Sequence, residues 1–113
     1  MKYIFIAGAS DIGKALINSL NKNYNKIIYT YRKSKLKNNN LISYKLDITN
    51  KREINNFIKN KSLKNWDNLT ILPATQKPIG SFTENDPEEW MSSVDLNFTY
   101  QMYLLRKLLP LRN

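Results

Sequence analysis

An α/β fold with a parallel, doubly wound sheet is predicted for this 113-residue chain by three features. Short β-branched or aromatic runs alternate with stretches of helical periodicity, the first run ends in a glycine-bounded turn that opens a helix, and polar or small residues gather where the runs stop. Ligands of such sheets bind beyond the carboxyl ends of the strands, so those stops are where function is sought.

Tyr3-Ile4-Phe5-Ile6 reads as the first strand, Ala7 to Gly13 as the turn, and Lys14-Ala15-Leu16-Ile17 as helix. Gly8 and Gly13 stand five positions apart, the outer spacing of the dinucleotide-binding fingerprint, with Ser10 where the middle glycine would let backbone approach a pyrophosphate. Small residues suit this place because a helix N-terminus offers unpaired N–H groups and a positive dipole end to an anion, provided nothing bulky intervenes. Gly8, Ser10, Asp11, Ile12 and Gly13 are therefore candidate cofactor contacts, and bulk at either glycine is expected to abolish binding. A strand-to-helix turn needing glycine only for its backbone angles is the plainer alternative.

The first helix is predicted over Ile12 to Tyr24, covering the strand with Ile12, Leu16, Ile17 and Leu20. The second strand, Ile27 to Tyr31, stops at Arg32-Lys33-Ser34-Lys35, about twenty residues beyond the turn, where a ribose would be read. An acid there accepts hydrogen bonds from a ribose 2′-hydroxyl, whereas Arg and Lys pair with a 2′-phosphate. No acid occurs between Ile12 and Leu46, so Arg32 and Lys33 favour NADP, with NADPH preferred over NADH, unless they are solvated loop charges. Lys35, Lys37 and Asn38 to Asn40 form a polar connection.

The third strand is predicted over Leu41 to Ile48, and Thr49-Asn50 caps a helix from Lys51 to about Asn60 that buries Ile54, Phe57 and Ile58. Asp47 stands at the ligand-facing end of this strand, either to accept a hydrogen bond from an adenine amino group or to cap the loop. The fourth strand runs from Asp67 to Thr75, and the small residues near Pro73 and Ala74 would let a ribose lie against backbone. Pro78 and Gly80 turn the chain into Asp86-Pro87-Glu88-Glu89, a helix start with Asp as N-cap and Pro at the first helical position. That helix is expected to reach Leu109 with Trp90, Val94, Phe98, Leu105 and Leu109 on one side and Asn97 in its middle.

Composition narrows the function classes. Apolar residues make up 42% of the chain, enough for one core and one domain. Lys and Arg number 18 against 9 acids, a formal charge of +9, which invites anionic partners. Asn, Lys and Ile have AT-rich codons, so genome composition supplies part of that bias, and scattered lysines with no basic stripe speak against nucleic acid. The chain lacks cysteine and histidine, which removes disulfides, thiolate or imidazole metal sites and any His base. The first apolar run is too short for a signal peptide, and the longest uncharged run, Leu96 to Leu105, is too short for a bilayer. A soluble, cytoplasmic protein without a membrane partner is expected.

Taken together these residues resemble the short-chain dehydrogenase/reductase family along essentially the whole chain. Ala7 to Gly13 is similar to the family's glycine turn shortened by one residue, and Leu46-Asp47-Ile48 to its Asp-plus-aliphatic pair at the adenine. Leu72-Pro73-Ala74 stands in place of its Asn-Ala-Gly stretch and differs at every residue. Pro78 to Phe82, Glu88-Glu89-Trp90 and Leu96-Asn97-Phe98 resemble the approach to its catalytic Asn, and Arg32 matches members that prefer NADPH. The resemblance implies a Rossmann-type sheet of strand order 3-2-1-4, truncated after the fourth strand and its following helix. It also implies an NADPH-dependent oxidoreductase of carbonyl or alcohol substrates, in which Asn97 would hold a relay behind the catalytic Lys. As a plain helix residue, Asn97 would be a surface or kink asparagine. The family's catalytic Ser and Tyr-x-x-x-Lys follow the next strand, beyond Asn113. Tyr29 with Lys33, Tyr31 with Lys35, and Tyr103 with Lys107 share the spacing but lie at the second strand or along the long helix, and none is assigned catalysis. Residues 1–113 are thus expected to be the amino-terminal dinucleotide-binding part of one Rossmann domain, inactive alone. The outer face of the 87–109 helix and the edge of the fourth strand should be exposed, predicting poor solubility or a partner such as a second copy. The alternative is a noncatalytic nucleotide-binding or protein-interaction module.

Overall fold

Residues 1–37 and 41–113 are described by the computed structural model; the connection predicted at positions 38–40 lies outside them. Strands β1 (Lys2–Ile6), β2 (Lys26–Tyr31), β3 (Ile42–Lys45) and β4 (Asn68–Ile71) form a parallel sheet in the order β3-β2-β1-β4, as predicted. Phe5 lies beside Tyr29 on one flank and Thr70 on the other, and Tyr31 beside Lys45. The alternation of side chains along a strand divides the core in two. Ile4, Ile6 and Ile28 face one side with Ile54, Phe57, Leu104 and Leu108, while Phe5, Ile27 and Tyr29 face the other with Ile17. Because β1 and β2 are covered on both faces, they read as continuous apolar runs.

Helix α1 (Asp11–Leu20) covers the Phe5 side and stops four residues short of the predicted Tyr24, where the Asn25 side chain and Lys22 N–H both donate to the Leu20 carbonyl. Its buried residues are Gly13 and Ile17, whereas Ile12 is 68% exposed and Leu16 also turns outward. The predicted face is therefore rotated: close packing at Gly13 sets which stripe meets the sheet. Helix α2 (Lys51–Phe57) lies on the other side, with Asn50 capping Glu53 N–H at 3.2 Å. Ile54 and Phe57 are buried and Ile58 half-buried, and the Asn60 side chain donates to the Phe57 carbonyl where the helix ends, short of the predicted boundary. The helical segment after β4 is not uniform. It comprises α3 (Pro87–Val94), a π-helical segment at Asp95–Thr99 and α4 (Tyr100–Leu108). Asp86 accepts from Glu88 N–H at 2.9 Å, with Pro87 in the first turn, as predicted. Leu104 and Leu108 are buried; of the predicted face, Trp90, Val94, Phe98 and Leu109 are exposed, while Leu105 is half-buried.

Trp66, just before β4, donates its indole N–H to the Leu108 carbonyl at 2.9 Å and so ties the end of α4 to the sheet. Beside it, Arg112 forms a parallel bridge to Trp66, flanked by Asn65 N–H to Leu111 O at 2.7 Å and Asn113 N–H to Trp66 O at 2.8 Å. Asp67 accepts from Lys2 N–H at 2.7 Å and from the Asn113 side chain at 2.9 Å, bonds that hold its carboxyl below the ordinary range. Beyond that bridge, no described strand pairs with the outer edge of β4.

Candidate functional site

The reversal from β1 to α1 is made by residues 7–10. Ala7 takes the left-handed conformation at φ 62°, and its N–H donates to the Thr30 hydroxyl at 2.8 Å. Thr30 is buried in an apolar strand, where a hydroxyl needs a partner, and here it sets where β1 stops. Ser10 is the N-cap of α1, its hydroxyl accepting from Gly13 N–H at 3.2 Å. The two glycines pack against protein. A Cβ on Gly8 would sit 2.8 Å from Tyr29 Cβ, and one on Gly13 would sit 2.5 Å from the Gly8 carbonyl oxygen.

Two adjoining clefts open at the carboxyl edge of the sheet. The first, of about 240 Å³, lies between Arg32, Asp47 and Ile48, the β4 exit at Pro73 and Ala74, and Leu96 from the π-helical segment. The second, of about 350 Å³, is lined by Ser10, Arg32, Lys33 and Ser34 among others and includes no acid. Ala7 and Arg32 belong to both. The predicted residues from β2, β3, β4 and the Ser10 cap are thus brought together. Gly8 and Gly13 lie buried beneath, and Asp11 and Ile12 are exposed at the helix mouth without lining either cleft.

Asp47 is half-buried, and its Oδ1 accepts from the Thr49 hydroxyl at 2.7 Å and from Thr49 N–H at 2.9 Å. The Thr49 hydroxyl is the main reason its carboxyl is held below the ordinary range; partial burial opposes this, and the backbone bond and the Arg32 charge add to it. The loop-capping role foreseen for Asp47 is therefore realised through one oxygen.

Asn97 sits in the π-helical segment next to Leu96, lines neither cleft itself, and clasps the backbone at Thr75, just after Ala74. Its Oδ1 accepts from Thr75 N–H at 2.8 Å and its Nδ2 donates to Thr75 O at 2.9 Å. One turn later the Gln101 amide donates to the Pro73 carbonyl, a role the sequence reading missed although the i,i+4 spacing of two amides was its signal. The two side chains thereby set the path of Pro73 and Ala74 along the cleft wall. Asn97→Ala and Gln101→Ala are each expected to cost about 1 kcal/mol, with the double variant departing from their sum because both hold one segment. Urea denaturation of the three variants checks this; strict additivity would show two independent surface contacts.

Of the tyrosines in the three Tyr-x-x-x-Lys matches, Tyr31 lines the second cleft and the other two make structural contacts. Tyr29 is buried and its hydroxyl accepts from Leu36 N–H at 3.0 Å. Tyr103 donates to Asn55 at 3.1 Å, with the Lys51 and Lys107 ammonium groups each 5.5 Å from its ring centre. No described helix is long and apolar enough to cross a membrane.

No family model and no curated protein matches the chain. Solved structures do. A short-chain dehydrogenase family protein from Francisella tularensis matches at TM-score 0.86 and 23% identity over 99% of this chain and 46% of that one. Serine dehydrogenase from Escherichia coli matches at TM-score 0.83 and 21% identity over 97% and 55%. A Burkholderia multivorans protein described as a short-chain dehydrogenase/reductase, with bound NADP, matches at TM-score 0.84 and 17% identity over 99% and 54%. The chain thus spans about half the length of the structures it matches. It has the Rossmann-type α/β fold that these short-chain dehydrogenase/reductase structures share.

Proposed function

We propose that residues 1–113 are the amino-terminal, dinucleotide-binding part of a single Rossmann domain. In this reading the whole protein is an NADPH-dependent oxidoreductase of the short-chain dehydrogenase/reductase type acting on a carbonyl or alcohol substrate, in the cytoplasm. The observation that carries it is Arg32, shared by two clefts at the ligand-binding edge of the sheet, with Lys33 beside it and no acid lining the second cleft. The donor set fits NADP. Arg32 and Lys33 would pair with the 2′-phosphate, Asp47 and Ile48 would meet the adenine, and Ala7, Pro73 and Ala74 would leave room for a ribose. Ser10, Asp11 and Ile12 would face the diphosphate at the start of α1, seated by Gly8 and Gly13. The cofactor supplies the hydride chemistry; the residues described here bind and orient it, and Asn97 acts as a positioning residue through Thr75. The proton donor, Ser and Tyr-x-x-x-Lys in the resembled family, would lie in chain beyond Asn113.

Arg32→Ala tests this reading. A charge-assisted contact of about 1.5–3 kcal/mol corresponds to roughly 10- to 100-fold in affinity. Calorimetric NADPH affinity of the full chain is expected to fall by that factor with NADH affinity unchanged. Equal affinities for the two cofactors, unmoved by the substitution, overturn the 2′-phosphate assignment. The outward apolar face with Trp90, Val94 and Phe98 favours one further reading, that the helical segment docks a partner or a second copy. NADPH binding by the complete protein without turnover of any carbonyl would select a noncatalytic module.

A further inference from the structure

The two halves of the nucleotide site are unequally built. At the β2 end, Arg32 lines both clefts, facing Asp47 in the first, and Lys33 joins it in the second, so a phosphate on the ribose 2′-oxygen seated in the second cleft meets cations with no acid in that lining. At the start of α1, the groups that would greet a diphosphate are already engaged. Ser10 Oγ occupies Gly13 N–H at 3.2 Å, and Ser10 N–H is turned back onto the Ala7 carbonyl at 3.2 Å. Only the first-turn N–H groups of Asp11 and Ile12 lack an intrahelical acceptor by position. The exposed Asp11 carboxylate stands in that same turn, setting a full negative charge against the roughly half positive charge of the helix end. A diphosphate arriving there finds a helix end that is capped and neutralised from within.

We infer that adenosine 2′-phosphate is the anchoring ligand moiety of this site and that Asp11 weakens the hold on the diphosphate, making it a specificity-determining residue that narrows the advantage of dinucleotide over 2′-phosphorylated mononucleotide. This rests on the cofactor reading above. It places the selectivity of the site in the two cations after β2, and it makes the β1–α1 turn an element that stabilises the fold at the cost of diphosphate affinity. Asp11 differs from the predicted contacts at Arg32 and Lys33 in sign: removing its charge improves binding.

The experiment compares NADPH, adenosine 2′-monophosphate and adenosine 5′-monophosphate by calorimetry on the full chain and on its Asp11→Asn and Asp11→Glu variants. Asp11→Asn is expected to tighten NADPH by about 3- to 5-fold, the size of a charge-to-dipole contact at a helix end, and to leave adenosine 2′-monophosphate within twofold. Asp11→Glu, which keeps the charge, should behave as the parent. The ratio of NADPH to adenosine 2′-monophosphate affinity is internal to each protein, so partial unfolding lowers both alike and leaves the ratio unmoved. An unchanged ratio in Asp11→Asn overturns the inference while leaving the cofactor reading standing. Adenosine 2′-monophosphate binding no better than the 5′-isomer, to parent and variants alike, overturns both.

Discussion

Gly13→Ala is expected to destabilise the protein by about 2–3 kcal/mol, measured as a fall in the urea midpoint with no nucleotide present. Ordinarily the sign would be opposite, since alanine inside a helix is favoured over glycine by about 1 kcal/mol. Here the added Cβ would stand 2.5 Å from the Gly8 carbonyl oxygen and 2.7 Å from both the Gly8 carbonyl carbon and Cα. Backbone cannot turn aside as a side-chain tip can, so α1 must lift from β1 and uncover Ile17, which is 1% exposed in the parent. Against a total stability of roughly 5–15 kcal/mol this is a large loss. Nucleotide affinity should fall as a consequence, because the seat of the turn moves. A midpoint that rises, with affinity alone reduced, would return Gly13 to the role first read from its spacing, a residue kept small for the ligand.

Trp66→Ala should cost about 3–5 kcal/mol, the range for emptying a buried aromatic site. The indole is only 8% exposed, packs in the core with Leu104 and Leu108, and gives its N–H to the Leu108 carbonyl. Trp66→Phe separates the two contributions: it retains most of the apolar volume and removes only the indole N–H bond to that carbonyl, for about 1 kcal/mol. Chemical denaturation followed by circular dichroism gives both values, and Trp90, being 45% exposed, remains as a fluorescent probe of the outward helix face. Equal losses for the two variants would assign the whole effect to the hydrogen bond.

The succession of strands and helices and the capped start at Asp86 were legible because each rests on local chemistry, β-branched runs, helical periodicity and an Asp-Pro pair, whereas the strand order was implied by the family resemblance. The gathering of Arg32, Asp47, Ile48, Pro73 and Ala74 at one edge followed from topology, since every parallel strand delivers its last residue to the same side. Helix faces were less legible. Ile12 and Leu16 fit the helical period as well as Ile17 does, and only the Gly8–Gly13 contact chooses the rotation. The wide turn at Asp95–Thr99 left no mark in the apolar spacing, and the carbonyls that Asn97 and Gln101 satisfy belong to a segment more than twenty residues earlier. Thr30 was visible as a polar residue within a buried strand; its partner, Ala7 N–H, is set by the register of β1 on β2.

The parallel bridge between Trp66 and Arg112 bears on how the sheet can grow. Starting a ladder is its slow step, because the chain must be fixed before a row of hydrogen bonds rewards it. Beside β4 that first rung already exists, held by Asn65, Trp66 and Asn113 and locked by Asp67. A strand continuing from it would advance as a zipper closes, with direction and register decided in advance. A foreign strand arriving in the opposite sense would meet an entrance already filled, so the same few residues that invite one neighbour discourage the others.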